Sequence, residues 1–143
     1  MNDEPPELKA RTKTFALRII RMYARLGKND VVAQILGKQV LRSGTSVGEN
    51  YREASRARSK AEFISKIGDA LKEAEESEYW LELLVDSGCV AGSKMAELLD
   101  ETRQLIAIFT TIDKHSKEWA ARVTDVVLTL AFSIQPLAFV WRL

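Results

Sequence analysis

The sequence predicts an all-α protein, folded as an antiparallel up-down four-helix bundle with a long second and third helix and an apolar C-terminal extension. No proline occurs between Leu8 and Leu130, so nothing there breaks the hydrogen-bond ladder of a helix. Apolar residues recur at alternating spacings of three and four, which places them on one face of a helix. Four such segments with short connections, in 143 residues of which 46% are hydrophobic, fold most simply as one bundle.

The boundaries of the predicted helices come from glycines and capping residues. Gly27 is a typical stop for the first helix, and Asn29 or Asp30 can cap the second. Ser59 and Glu62 have the spacing of a capping box, in which each side chain satisfies the free backbone amide of the other residue. The predicted organisation is an N-terminal arm over residues 1–11, a bundle over 12–117 with helices at about 12–26, 30–57, 60–87 and 93–117, and an extension over 118–143.

The stretch 44–48 in the middle of the second helix has poor helix propensity, because it combines glycines with β-branched residues. A loop at this position is the alternative interpretation. However, the apolar register before and after the stretch stays in phase, and a loop of arbitrary length would usually break that phase. We therefore expect one continuous helix.

The second and third helices are expected to pack closely through small residues. If the turn between them centres near residues 58–59, facing positions have numbers that sum to about 117. The facing pairs are then Ser43 with Ala74, Val47 with Ala70 and Arg42 with Glu75. Asn50 is expected to be a buried polar residue that fixes this register. The predicted packing set and polar spine consists of Gln39, Arg42, Ser43, Ser46, Val47, Asn50, Ala70 and Ala74.

Charge is distributed unevenly along a chain whose net charge is only +1. Residues 1–60 contain 13 Lys and Arg against 6 Asp and Glu, a balance of +7, whereas residues 61–100 contain 3 against 10, a balance of −7. Such segments attract each other within or between subunits. Cys89 is the single cysteine, which excludes an internal disulfide, and the N-terminus lacks the pattern of a secretion signal, so the expected location is the cytoplasm.

The usual sequence signatures of an enzyme are missing. The chain has no glycine-rich phosphate loop, no paired metal-binding cysteines and no His-Glu-x-x-His pattern, and His115 is its one histidine. A carboxylate metal site on the third helix is a weak alternative, because di-metal bundles also use histidines; a solvated or salt-bridged face is the simpler interpretation. The residues concerned are Glu73, Glu75, Glu76, Glu78 and Glu82. We expect no catalytic residues, no cofactor and no metal.

A basic face on the first helix is the main candidate for function. Arginine recurs there every seven residues, and no acidic residue occurs between positions 8 and 28. A cationic stripe neutralises phosphates and releases their counterions, which gives affinity for nucleic acid without sequence preference. The alternative is structural, because arginines beside an apolar seam also pair with glutamates of a neighbouring helix. The candidate phosphate ligands are Arg11, Arg18, Arg21, Arg25 and Lys28.

Tyr79 and Trp80 adjoin the apolar face of the third helix. Adjacent helical residues point about 100° apart, so at least one of the two must point away from the core. An outward tryptophan is typical of a contact with another chain. The alternative is a wide core that contains Trp80, and both residues remain candidates for a subunit interface.

Several runs of the sequence resemble the bacterial four-helix bundle protein family, whose members are also called 23S rRNA-intervening-sequence proteins. The resemblance covers about residues 10–117 and is carried by the polar spine and the tyrosine-tryptophan segment at the expected separation. The runs are Gln39–Ala54, Glu62–Phe63, Lys72–Ala74 and Tyr79–Leu84. The family name refers to reading frames inside intervening sequences of 23S rRNA genes, so it describes a genetic location and does not imply a ribosomal component.

The resemblance implies a four-helix subunit that assembles into a ring-shaped homopentamer. It also implies a relation to the accessory protein of diversity-generating retroelements, in which a basic surface contacts nucleic acid and a reverse transcriptase. No catalytic residues come with it. The leading hypothesis is therefore a homo-oligomeric scaffold or adaptor that binds RNA or DNA, and the alternative is a structural protein-interaction module without nucleic acid.

The C-terminal tail departs from the resemblance. Residues 126–134 are strongly apolar, but Gln135 and Pro136 separate them from a second apolar run. A helix that spans a membrane needs about 20 largely apolar residues, so the proline splits this stretch into pieces that are too short. We expect no membrane partner; the tail either extends the fourth helix, packs against a subunit or is an atypical end of the reading frame.

Overall fold

The structure is a computed structural model that describes residues 6–133, with the side chains of residues 8–131. The chain forms four α-helices, which are α1 (Pro6–Ala24), α2 (Val31–Ala54), α3 (Lys60–Asp86) and α4 (Gly92–Ser133). Helix α2 packs extensively against α1 and α3, and α3 packs against α4, whereas α1 and α4 touch only slightly. The predicted four-helix bundle is confirmed.

Two side chains cap the central helices where the sequence predicts them. The carboxylate of Asp30 accepts a hydrogen bond from the amide of Ala33 (3.0 Å), and the hydroxyl of Ser59 accepts one from the amide of Glu62 (3.1 Å). The carboxylate of Glu62 reaches one residue further than expected, because it accepts from the amide of Arg58 at 2.7 Å and not from that of Ser59. These caps set the starts of α2 and α3.

Helix α2 continues without interruption through residues 44–48. Its glycines lie against α1, because a Cβ atom added at Gly44 would lie only 2.8 Å from Cγ1 of Ile19, and one added at Gly48 would lie 3.3 Å from Cβ of Thr12. The poor helix formers in this stretch therefore allow close contact between two helices. This contact stabilises the helix that their intrinsic propensity disfavours.

Helices α2 and α3 meet in a register close to the predicted one. Ser43, Val47, Ala70 and Ala74 are all fully buried, and the hydroxyls of Ser43 and Ser77 lie 2.9 Å apart in the buried interface.

The predicted pairing of Arg42 with Glu75 is replaced by another. Arg42 pairs with Glu73 (3.4 Å) and Glu76, while Glu75 is exposed. Residues 73 and 76 are three apart and share a helix face, from which residue 75 is rotated by about 100°.

Other members of the predicted polar spine are only half-buried. These are Gln39, Ser46 and Asn50. The amide nitrogen of Asn50 donates to the carbonyl of Ser46 in its own helix (3.0 Å). This hydrogen bond lies within α2 and Asn50 is only half-buried, so the structure does not show the expected buried residue that sets the register between helices.

Helices α1 and α4 are both longer than predicted. Helix α1 begins at Pro6, where proline is well suited to the first turn, so residues 6–11 belong to the bundle and not to an arm. Helix α4 extends 16 residues past the predicted end at 117, because neither proline nor glycine interrupts its apolar register before Ser133. The remainder of the predicted extension, residues 134–143, lies outside the described residues. None of the described helices combines the length and the apolar character needed to cross a lipid bilayer.

Candidate nucleic-acid interface

The arginines of the predicted basic face fall into two groups with different surroundings. Arg11 is bound to α4: its Nε donates to Oε1 of Glu101 at 2.7 Å, and its Nη2 donates to Oε2 of Glu101 at 2.9 Å and to Oε1 of Gln104 at 2.7 Å. Two parallel hydrogen bonds to one carboxylate are a strong arrangement for an arginine. Arg11 therefore ties α1 to α4 and is not available as a phosphate ligand.

The other arginines border a cleft of about 630 Å³ where α1 ends and α4 begins. Its cationic residues are Arg18, Arg21, Arg25 and Lys94. Its apolar residues are Met22, Leu26, Val90, Met95 and Leu98. We call this site the cationic cleft; Lys28 lies just beyond it, exposed in the turn after α1. The arrangement combines a charged rim with an apolar floor.

The cations of the cleft have little negative charge to balance them. Among the side chains of residues 8–131, no carboxylate lies within 4.0 Å of the guanidinium of Arg21 or Arg25. Arg18 approaches Glu97 at 3.9 Å, but the side chain of Glu97 is 95% exposed, so solvent screens this pair strongly. The cleft is consequently a local concentration of positive charge on a nearly neutral protein.

Four of the five candidate glutamates of α3 have partners elsewhere in the same subunit. Glu73 and Glu76 pair with Arg42 of α2. Glu78 and Glu82 pair with Arg103 of α4 at 2.6 and 2.9 Å, which completes the polar contacts on both sides of α3. No group of three or more potential metal ligands comes together among the residues that the structure describes. The acidic face of α3 is thus a salt-bridged face, and it does not compensate the arginines of α1.

Trp80 and Tyr79 have different positions. Trp80 is half-buried against the core and its Nε1 donates to Oε1 of Glu76 at 3.2 Å, whereas Tyr79 is 55% exposed. The pKa of Glu76 lies below its ordinary value because its carboxylate accepts hydrogen bonds from Arg42 and from Trp80. Tyr79 is the outward member of the pair, and the role of these residues in a subunit interface stays a prediction.

Sequence reasoning missed a second basic group at the turn between α2 and α3. It consists of Arg52, Arg56, Arg58 and Lys60, which are all exposed. Four cations in nine residues are a readable signal, which the seven-residue repeat of α1 overshadowed. The ammonium of Lys60 lies 4.9 Å from the ring centre of Trp119 on α4. This group occupies the opposite end of the bundle from the cationic cleft.

Comparison with known proteins gives a family for this architecture. The sequence model of the family described as 23S rRNA-intervening sequence protein matches residues 7–111. A crystallised protein of unknown function of the S23 ribosomal protein family, from Bacteroides thetaiotaomicron, is 40% identical. The match covers 74% of this chain and 97% of that one, with a TM-score of 0.69. No curated protein sequence matches this chain.

Proposed function

This chain belongs to the 23S rRNA-intervening sequence protein family, and we propose that it acts as a non-enzymatic, homo-oligomeric adaptor that binds nucleic acid through the cationic cleft. The observation that supports this most directly is the set of arginines around the cleft, which lie on α1 and directly after it. Arg21 and Arg25 face it without a carboxylate of the described chain within 4.0 Å, although acidic residues are as frequent in the sequence as basic ones. Arginines that stabilised only the fold would be paired, as Arg11 is.

The dimensions of the cleft suit a phosphate backbone. Arg25 directly follows the last residue of α1 and lies about 10 Å beyond Arg18 along the helix axis, which matches the axial rise of about three nucleotides of one strand. Guanidinium groups bind phosphate oxygens in a bidentate manner. The floor contributed by Met22 and Leu98 offers an apolar surface to an unpaired base next to the bound phosphates. The adaptor would hold a nucleic acid for an enzyme that acts on it.

Exposed apolar residues support the proposed self-association. Val31, Val32 and Ile35 in the first turns of α2 are 69%, 53% and 57% exposed. Tyr79 on α3 adds an exposed aromatic ring. Clustered apolar side chains on a surface are typical of contacts between subunits.

Binding can be tested by measuring affinity for a structured RNA and for duplex DNA over a range of salt concentrations. We expect Arg21→Gln/Arg25→Gln to weaken binding to both and to reduce the slope of log K against log salt by about 2, since each lost phosphate contact removes about 1. Lys72→Gln is the matched control, because Lys72 is an exposed lysine on α3, which is not among the helices that form the cleft. Unchanged affinity in the folded double variant would exclude the cleft as the binding site.

A structural interaction module without nucleic acid is the second candidate, and the ion pairs of Arg11, Arg42 and Arg103 favour it. They show that arginines of this chain do bind glutamates between helices. If the free arginines do the same between subunits, Arg21→Glu/Arg25→Glu will dissociate the oligomer in light scattering. The wild-type protein will then bind neither nucleic acid at any salt concentration.

A further inference from the structure

A single apolar register runs along the whole of α4. In the bundle its members are buried and alternate at spacings of three and four, namely Met95, Leu98, Thr102, Leu105 and Phe109. Ile112 and Ser116 continue the same spacing to the end of the bundle. This is the seven-residue repeat by which one helix packs into a groove between others.

The register continues on the part of α4 that projects beyond the bundle. Trp119, Val123, Val126 and Leu130 follow at spacings of four, three and four, and they are 55%, 42%, 58% and 57% exposed. We call these four residues the α4 stripe. Apart from the Trp119 ring beside the Lys60 ammonium, the described part of this subunit leaves the stripe open to solvent, and the family match ends before it, at residue 111.

We propose that the α4 stripe binds the α4 stripe of a second copy of this chain in antiparallel orientation. The spacing of four, three and four reads the same in both directions. An inverted copy therefore places a stripe residue opposite every stripe residue: Trp119 faces Leu130 of the second copy, and Val123 faces Val126 of the second copy. The stripe is thus complementary to itself.

The antiparallel direction of the partner follows from the side of α4 on which the stripe lies. The stripe continues the face that α4 turns toward the other helices of its own subunit. A parallel partner helix on the stripe would extend into the volume of those helices. An antiparallel partner extends away from them instead, and with the pairing above its residue 133 ends level with Ser116. The projecting segment of about 17 residues, roughly 25 Å, is long enough for this overlap.

Charge does not oppose this pairing. Arg122 and Asp125 are the charged residues of the segment 119–131; Asp125 points well away from the stripe, and Arg122 flanks it on the side opposite Val127, where its charged end can stay in solvent. Val127 lies next to the stripe and is 59% exposed, so it widens the apolar face. The contact is independent of the cationic cleft, which lies at the other end of α4.

Disulfide trapping in the full chain tests both the partner and the direction. In a Cys89→Ser background, we expect Trp119→Cys and Leu130→Cys to form a cross-linked dimer when the two variants are mixed and oxidised. Neither variant should cross-link alone, because its two thiols lie about 16 Å apart along the antiparallel pair. Cross-linking of Trp119→Cys alone would indicate a parallel pair and overturn the proposal, as would the absence of any cross-link.

A matched pair of charge insertions tests the face. Val126 and Leu128 are similarly exposed, 58% and 51%, but Leu128 lies on the opposite side of the helix from the stripe. In concentration-dependent light scattering, Val126→Glu should weaken the tail contact about 100-fold or more, because symmetry buries two carboxylates. Leu128→Glu should leave it unchanged. Equal effects of the two variants, or binding to lipid vesicles without dimer formation, would refute the proposal. Val126→Glu should retain nucleic-acid affinity, which separates this test from that of the cleft.

Discussion

Gly44 offers a direct test of how closely α1 and α2 pack. In Gly44→Ala the new Cβ would lie 2.8 Å from Cγ1 and 3.1 Å from Cγ2 of Ile19, well inside the ordinary carbon contact of about 3.5–4.0 Å. Ile19 is fully buried and branched at Cβ, so it has little freedom to move. Forcing an extra methyl group into such a core costs about 1–3 kcal/mol.

Gly68→Ala is the matched control in α3. Nothing lies within 4 Å of a Cβ at Gly68, so the substitution adds only the better helix propensity of alanine, a gain of about 1 kcal/mol. Gly44→Ala has the same gain in helix propensity but also the cost of the close contact with Ile19. The difference in unfolding free energy between the two variants therefore isolates that cost, and we expect Gly44→Ala to be about 1–3 kcal/mol less stable than Gly68→Ala.

Urea unfolding followed by far-UV circular dichroism measures this difference. All variants should be compared at one protein concentration, because the stability of an oligomer depends on it. With a slope of about 2 kcal/mol per molar urea, a difference of about 2 kcal/mol separates the midpoints by about 1 M. Ile19→Ala should cost less in the Gly44→Ala background than in the wild type, because it removes the crowded atoms. Equal midpoints for Gly44→Ala and Gly68→Ala would refute the close packing.

Two further predictions follow from the polar contacts. The pKa of Glu76 lies below its ordinary value of 4.5, so the stability that its charge provides is present above that value and is lost as the pH falls through the lower, folded-state pKa. Glu76→Gln should therefore be less stable than the wild type at pH 7 in urea unfolding, with the gap narrowing in acid; a gap that is constant with pH would contradict this. Arg11→Ala should lower stability but leave the salt slope of nucleic-acid binding unchanged, because Arg11 is bound to α4. A lower slope would place Arg11 among the phosphate ligands.

The fold could be predicted because its determinants are local. Apolar spacing identified four helices, and Asp30 and Ser59 identified the starts of two of them, since a cap and its amide are three residues apart. The unbroken apolar register was enough to predict that α2 continues through residues 44–48. The physical reason for this continuity could not be predicted, because Gly44 and Gly48 pack against residues of α1 more than 20 positions away.

The candidate site was predictable only in part, because contacts between distant segments decide which of its charged residues are paired. Arg11 and Arg25 look equivalent in the seven-residue repeat, yet Arg11 meets Glu101, 90 residues away, and Arg25 meets no carboxylate of the described chain. Only the three-dimensional structure separates them. The end of α4 lies beyond the predicted residue 117, in agreement with the alternative that the tail extends the fourth helix, because its heptad spacing continues.

Since α4 is one uninterrupted helix, it fixes the distance between the cationic cleft at its start and the α4 stripe near its end. Lys94 at the cleft and Leu130 at the tip are 36 residues apart, about 54 Å along a straight helix, or about 16 base pairs of duplex. Each residue inserted between them would lengthen the helix by about 1.5 Å and turn its tip by about 100°, so only insertions close to a whole number of turns, such as about seven or about eleven residues, preserve the direction in which the tip faces. The length of this helix thus sets the separation of the two proposed binding surfaces.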